Sequence, residues 1–214
     1  MWVVPRIGLQ TLHGVKLKTP DGPNAVLDTL KNYGFSKAQV AKLVEKYPRV
    51  LALKPEKTLL PKLKFFHSIG VSNTDMPKII LENPFLFKRS LGKCLVPRYE
   101  MIRRVVRDDR EFVRFLRNAP HKFTFCDIRN GLVRNVEALR QCGVPQGSIS
   151  LIIVQYPSAA NGKHSKFVEA VKRVKKFGID PMKTTFIMAI QVLLTMDEVA
   201  LEPNVGFMRG GMGL

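Results

Sequence analysis

The sequence predicts an all-α fold, a superhelical solenoid of helix–turn–helix repeats. Three periodic signals carry that reading. First, Pro48, Pro84, Pro120 and Pro157 recur at steps of 36, 36 and 37 residues. Second, the same apolar triplet stands upstream of each proline: Val40, Leu43 and Val44; Met76, Ile79 and Ile80; Phe112, Phe115 and Leu116; Ile149, Ile152 and Ile153. Offsets of 0, 3 and 4 put each triplet on one face of an α-helix. Third, glycines suited to left-handed helix stops stand at Gly34, Gly70, Gly143 and Gly178. A single helix with one apolar stripe cannot bury it alone, whereas stacked copies can, so the period implies an array.

Each element follows from these signals. The first helix of a repeat starts at a cap. Ser36 with Gln39 fits a capping box, and Ser72 and Asp108 hold the equivalent places. Val106 takes the glycine slot in the third repeat, so its turn must be built differently. After each proline a second helix is marked by Leu63 and Phe66, Tyr99 and Ile102, Val136 and Leu139, and Val171 and Val174. The segments between the helices, such as residues 51–55 and 85–89, are long enough for one short extra helical turn. A fifth unit begins at Gly178 with an apolar helix to about Leu194, and its proline slot falls at Val192. No stretch alternates as a strand would. The organisation expected is an irregular segment over 1–20, about four full repeats and a partial fifth over 21–200, and a flexible Gly-rich tail over 201–214.

Charge narrows the partner. Against 17 Asp and Glu stand 35 Lys and Arg, a formal net charge of +18. Such an excess repels itself, and a polyanion is the natural reason to keep it; a soluble basic protein without such a partner is the blander alternative. No apolar run reaches the roughly 18 residues of a membrane span, so no membrane partner is expected. Cys94, Cys126 and Cys142 form no CxxC pair, which argues against a disulfide framework and for a reducing compartment. The N-terminal residues resemble neither a secretory signal nor an Arg- and Ser-rich transit peptide.

Several segments together resemble the repeat of the mitochondrial transcription termination factor (mTERF) family. They are Gly34-Phe-Ser, Tyr47-Pro-Arg-Val-Leu51, Leu59-Leu-Pro-Lys-Leu-Lys-Phe65 and Ile79-Ile-Leu-Glu-Asn-Pro-Phe-Leu86. Lys176-Phe-Gly-Ile-Asp-Pro181 is similar to plant members in particular. The resemblance covers about residues 21 to 200. It implies a superhelix that is left-handed rather than right-handed, with a concave basic face that tracks double-stranded DNA, or RNA in some members. It also implies work in a mitochondrion or chloroplast, in transcription, its termination or RNA processing. With no clear transit peptide at its start and a pattern that stops near Met196, the sequence is expected to be a shortened or alternative version of a longer protein. A monomer is expected.

Aligning the repeats turns charges into columns. One place beyond the second-helix pair stand His67, Arg103, Arg140 and Lys175; the next place holds Ser68, Arg104, Gln141 and Lys176. In an array such columns become a cationic strip, the arrangement that follows a phosphate backbone. Arg103, Arg104 and Arg140 are also able to read guanine edges, and nothing in the sequence separates the two uses. The plainer alternative is that these cations favour the helix macrodipole, worth about 0.3–1 kcal/mol each. Lys62, Arg98 and Arg134, on the second helices or at their starts, complete the candidate nucleic-acid set. Arg110, Arg114 and Arg117 alternate with Asp109 and Glu111, which reads as a solvated ion-paired face.

No enzyme motif is present: no GxSxG, no phosphate loop, no HExxH. His121, Cys126, Cys142 and His164 have spacings that fit no standard zinc pattern. Neither a metal nor a cofactor is expected. Phe65, Phe66, Phe112 and Phe115 have helical spacing and read as core rather than as base-stacking surfaces. The alternatives that stay open are an organellar RNA-binding factor, akin to code-reading pentatricopeptide repeats, and a helical scaffold for a protein partner.

Overall fold

The computed structural model describes residues 21–125 and 127–199. The expected irregular segment 1–20 and the tail 201–214 lie outside the described residues, as does Cys126. Helices and turns make up the described residues, and no strand occurs among them. The chain forms two compact units, one up to Arg129 and one from Asn130.

Helix α1 (Asp21–Asn32) leads into α2 (Lys37–Lys46), whose start is set as the sequence predicts. Ser36 Oγ accepts from the Gln39 amide at 3.2 Å, and the Ser36 amide donates to Gln39 Oε1 at 2.9 Å. At the other end a proline stops the helix. Tyr47 has φ −145° and ψ 73°, and the residues preceding Pro84, Pro120 and Pro157 have closely similar backbones. The reason is steric, because the proline ring excludes the α conformation from the residue before it.

The proline then opens a short helix, where its missing N–H is no loss. These are a 3-10 segment at Pro48–Ala52, α5 (Phe85–Lys88), α8 (Pro120–Phe125) and α11 (Pro157–Ala160). The unit is therefore a long helix, a short helix and a second long helix. Three of the second helices begin with a π turn, at Pro55–Leu59, Leu91–Leu95 and Arg129–Val133, which run into α3 (Leu60–Ser68), α6 (Val96–Val106) and α9 (Arg134–Gln141). In the first two, Pro61 and Pro97 lack the N–H that an α ladder needs, and the amides of Leu60 and Val96 bond five residues back instead.

Two starts and stops differ from the expected pattern. Ser72 accepts from the Asp75 amide at 3.1 Å, yet α4 spans only Met76–Glu82. Pro77 would clash with the carbonyl four residues back in a helix begun at residue 73, so a turn fills the gap. In the third repeat Arg107 is the left-handed residue, with φ 65°, one place after the glycine slot. Val106 stays helical because its side chain is buried in the core, and the turn is displaced by one residue. Asp108 caps α7 (Asp109–Asn118) by accepting from the Arg110 amide at 2.8 Å, as expected.

All four apolar triplets are buried, and so is every second-helix pair member except the half-buried Tyr99. Each buried Leu, Ile or Phe contributes about 1.5–3 kcal/mol. Up to Arg129, α2 packs on α4 and α4 on α7. From Asn130, α9 packs on α12 (His164–Lys176), and α10 (Gln146–Gln155) on α13 (Thr184–Val199). Helix α13 runs past the Leu194 end expected from the sequence. No helix among the described residues is long and apolar enough to cross a membrane.

Candidate nucleic-acid interface

The candidate cations fall into two groups according to what their polar atoms touch. Lys62 is buried, with its ammonium donating to the Phe87 carbonyl. Arg98, half-buried, donates from its guanidinium to the Phe123 carbonyl at 3.1 Å. In the same repeat position Asn135 donates to the Ala160 carbonyl at 3.1 Å and to Gly162 at 2.9 Å. Each bond to Phe87, Phe123 and Ala160 spans 25 residues. Each therefore runs from a second helix to the end of the next repeat's short helix, whose last carbonyls have no partner within so short a helix.

This corrects the expectation for Lys62, while Arg98 is half-buried with one amine on a carbonyl. A carbonyl inside the protein takes up the Lys62 ammonium, so Lys62 cannot join a phosphate-facing surface in this arrangement. Burial pushes the Lys62 ammonium down to a pKa of about 8, and nearby Cys94 offsets that only in part. Asn135 completes the column with a neutral amide. Its Oδ1 lies 2.8 Å from His164 Nδ1, and because the amide nitrogen already serves two carbonyls, that histidine nitrogen is the donor.

Arg103 is half-exposed and tied down. Its Nε meets Asp109 Oδ1 at 2.5 Å, and the Tyr99 hydroxyl donates to the same oxygen at 2.8 Å. Burial first, then the Asp109 hydrogen bond, raises the Tyr99 phenol above its ordinary pKa. Arg104, the next residue, is exposed in the last turn of α6, as is His67 in that of α3. In the second unit Arg140 ends α9 exposed, with one amine 3.2 Å from Gln146 Oε1. Lys175 and Lys176 are exposed in the last turn of α12, and Arg134 is exposed at the start of α9. Since α9 and α12 pack together, Arg140 and Lys175 occupy the same register on adjacent helices.

Of the alternating charges on α7, only Arg114 and Glu111 pair with each other, while Asp109 turns to Arg103 and Arg117 to Asp75. Arg114 meets Glu111 at 3.1 Å, and Arg117 reaches across to Asp75 at 3.4 Å. Phe66, Phe112 and Phe115 are fully buried, and Phe65 is half-buried with its ring nearly perpendicular to that of Tyr99. Of the residues drawn as a zinc set, His164 is engaged by Asn135 and His121 is exposed beside Phe125. No group of three metal-binding side chains occurs among the described residues.

Sequence reasoning passed over two exposed aromatics, Phe85 at 46% and Phe125 at 54% exposure. A signal for them existed. Phe85 and His121 share one repeat position, and Arg89 and Phe125 share another, both on the short helices.

A family model described as mTERF matches residues 27–213, nearly the whole chain and past the point where the proline pattern lapses. No individual curated protein matches the chain.

Proposed function

Because the chain belongs to the mTERF family of helical repeat proteins, we propose that it binds double-stranded DNA and regulates organellar transcription, including termination. It acts as a binder rather than an enzyme, in a mitochondrion or chloroplast. One observation supports this most directly: exposed cations end successive second helices, at Arg104 on α6, Arg140 on α9 and Lys175 with Lys176 on α12. Contacts of this kind are to phosphates, so affinity is dominated by counterion release and carries little sequence information. His67 and Arg134 extend the set; Arg103 contributes through its outer guanidinium edge while Asp109 holds its Nε.

The test is a salt titration of duplex binding. With roughly six phosphate contacts, log affinity falls against log salt with a slope of about −5. Arg104→Ala, Arg140→Ala, Lys175→Ala and Lys176→Ala each reduce that slope by about 0.9. A flat slope, or no binding at low salt, would overturn the proposal and leave a protein-binding scaffold as the reading.

A further inference from the structure

Five side chains on two neighbouring short helices and the residue that ends the first of them form an exposed cluster of rings and basic groups. Phe85 opens α5 and Phe125 closes α8, and their rings meet edge to face with centroids 5.6 Å apart. The Lys88 ammonium lies 5.8 Å from the Phe85 centroid, and the Arg89 guanidinium lies 5.4 Å from that of Phe125. His121, one turn before Phe125 on α8, holds its ring within 28° of parallel to it, centroids 6.4 Å apart. Seven other phenylalanines, among them Phe66, Phe112 and Phe123, are fully buried. These two rings are therefore set apart from the apolar core of their own repeats.

A solvent-facing ring loses the stabilisation of burial, and here two are held together at the surface under three basic side chains. An apolar protein partner would be matched by rings with an apolar rim, whereas this rim is cationic. A ligand with flat π faces joined by anionic links fits both parts. That is single-stranded nucleic acid, whose unpaired bases stack on aromatics while its phosphates meet Lys and Arg. We propose that Phe85 and Phe125 form a stacking platform for unpaired bases, flanked by Lys88, Arg89 and His121 as the contacts to the strand's phosphates. This rests on the nucleic-acid-binding reading above but concerns different residues and a different form of the ligand. It lies on the short helices and not at the ends of the second helices.

The test compares a single-stranded oligonucleotide, the same length of abasic strand and the matching duplex. Phe85→Ala and Phe125→Ala replace surface rings, so folding is checked simply by an unchanged helical signal and melting temperature. Each is expected to weaken binding of the base-bearing single strand about fivefold or more. Binding of the abasic strand and of the duplex stays as in the wild type. Arg89→Gln weakens both single strands and lowers the salt slope by about 0.7. In Phe125→Trp, the base-bearing strand quenches the indole emission and the abasic strand does not. Ring variants that bind the base-bearing strand like the wild type overturn the platform while leaving duplex binding intact. Equal losses on both single strands overturn it too, because the rings would then be acting on the backbone. A wild-type protein that binds none of the three probes overturns both proposals.

Discussion

Arg98 donates to the carbonyl of Phe123, 25 residues further on, and so joins the second helix of one repeat to the short helix of the next. The bond is charge-assisted, and its acceptor is a helix-end carbonyl on which the macrodipole favours a cation. Its loss leaves that carbonyl without its donor. Arg98→Ala is expected to destabilise the first unit by about 1.5–3 kcal/mol, read as a lower denaturant midpoint. The salt slope of duplex binding should not change. A changed slope with unchanged stability would return Arg98 to the phosphate-binding set.

Lys62 holds the same place one repeat earlier, with a titratable group. In the folded protein its ammonium has a pKa of about 8, while an unfolded lysine keeps its proton to about 10.4. Between those two values the unfolded state binds more protons, so stability rises with pH across that window. Below about pH 8 both states are protonated and the cost of burying the charge is carried in full. Measured as wild type minus Lys62→Met, the gain on going from pH 8 to 10.5 is at most about 2 kcal/mol. A difference that is level across this range would mean that Lys62 is solvated.

Gly34 and Gly143 are both left-handed, with φ of 88° and 79°, but only one is crowded. A Cβ on Gly34 would lie 2.1 Å from the Asn73 carbonyl oxygen, whereas one on Gly143 would meet nothing within 4 Å. Gly143→Ala therefore suffers conformational strain alone, about 1 kcal/mol. Gly34→Ala must also push back the backbone that opens the second repeat, and should cost more than about 2 kcal/mol. Equal losses in chemical denaturation would contradict the close approach.

Arg107 is the reverse case, a side-chain-bearing residue at φ 65°. Replacing it with glycine removes roughly 1–2 kcal/mol of left-handed strain and adds roughly 0.5–1 kcal/mol of unfolded-chain entropy. Arg107→Gly should therefore stabilise slightly, by about 0.5–1 kcal/mol, raising the melting temperature by a few degrees. A lowered melting temperature would show that the Arg107 side chain holds the turn by some other contact.

What the sequence made legible was local. The triplets, the Ser36–Gln39 box and the proline stops each depend on residues within one helical turn, and their spacing is their geometry. The inter-repeat bonds were hidden because Lys62 and Arg98 look like surface charges until their partners 25 residues away are known. Aligned with Asn135, they share only the capacity to donate, a fainter signal than charge. The late start of α4 was also concealed: Ser72 is a good cap, and Pro77 overrides it from inside the expected helix. Phe85 and Phe125 escaped notice for a related reason. They sit four residues out of step with one another in the repeat, so neither forms a column of rings by itself.

The donor column also gives the array a polarity. Reading from the N-terminal side, its positions are Val26, Lys62, Arg98, Asn135 and Ala170. Its ends are apolar, and its interior holds an ammonium, a guanidinium and an amide. Hydrogen exchange should therefore be slowest in the short helices α5, α8 and α11, each held by a donor, and faster at Pro48–Ala52, whose slot holds valine. The repeats are alike in shape but not in attachment, so such a protein would fray one seam at a time rather than as a single block.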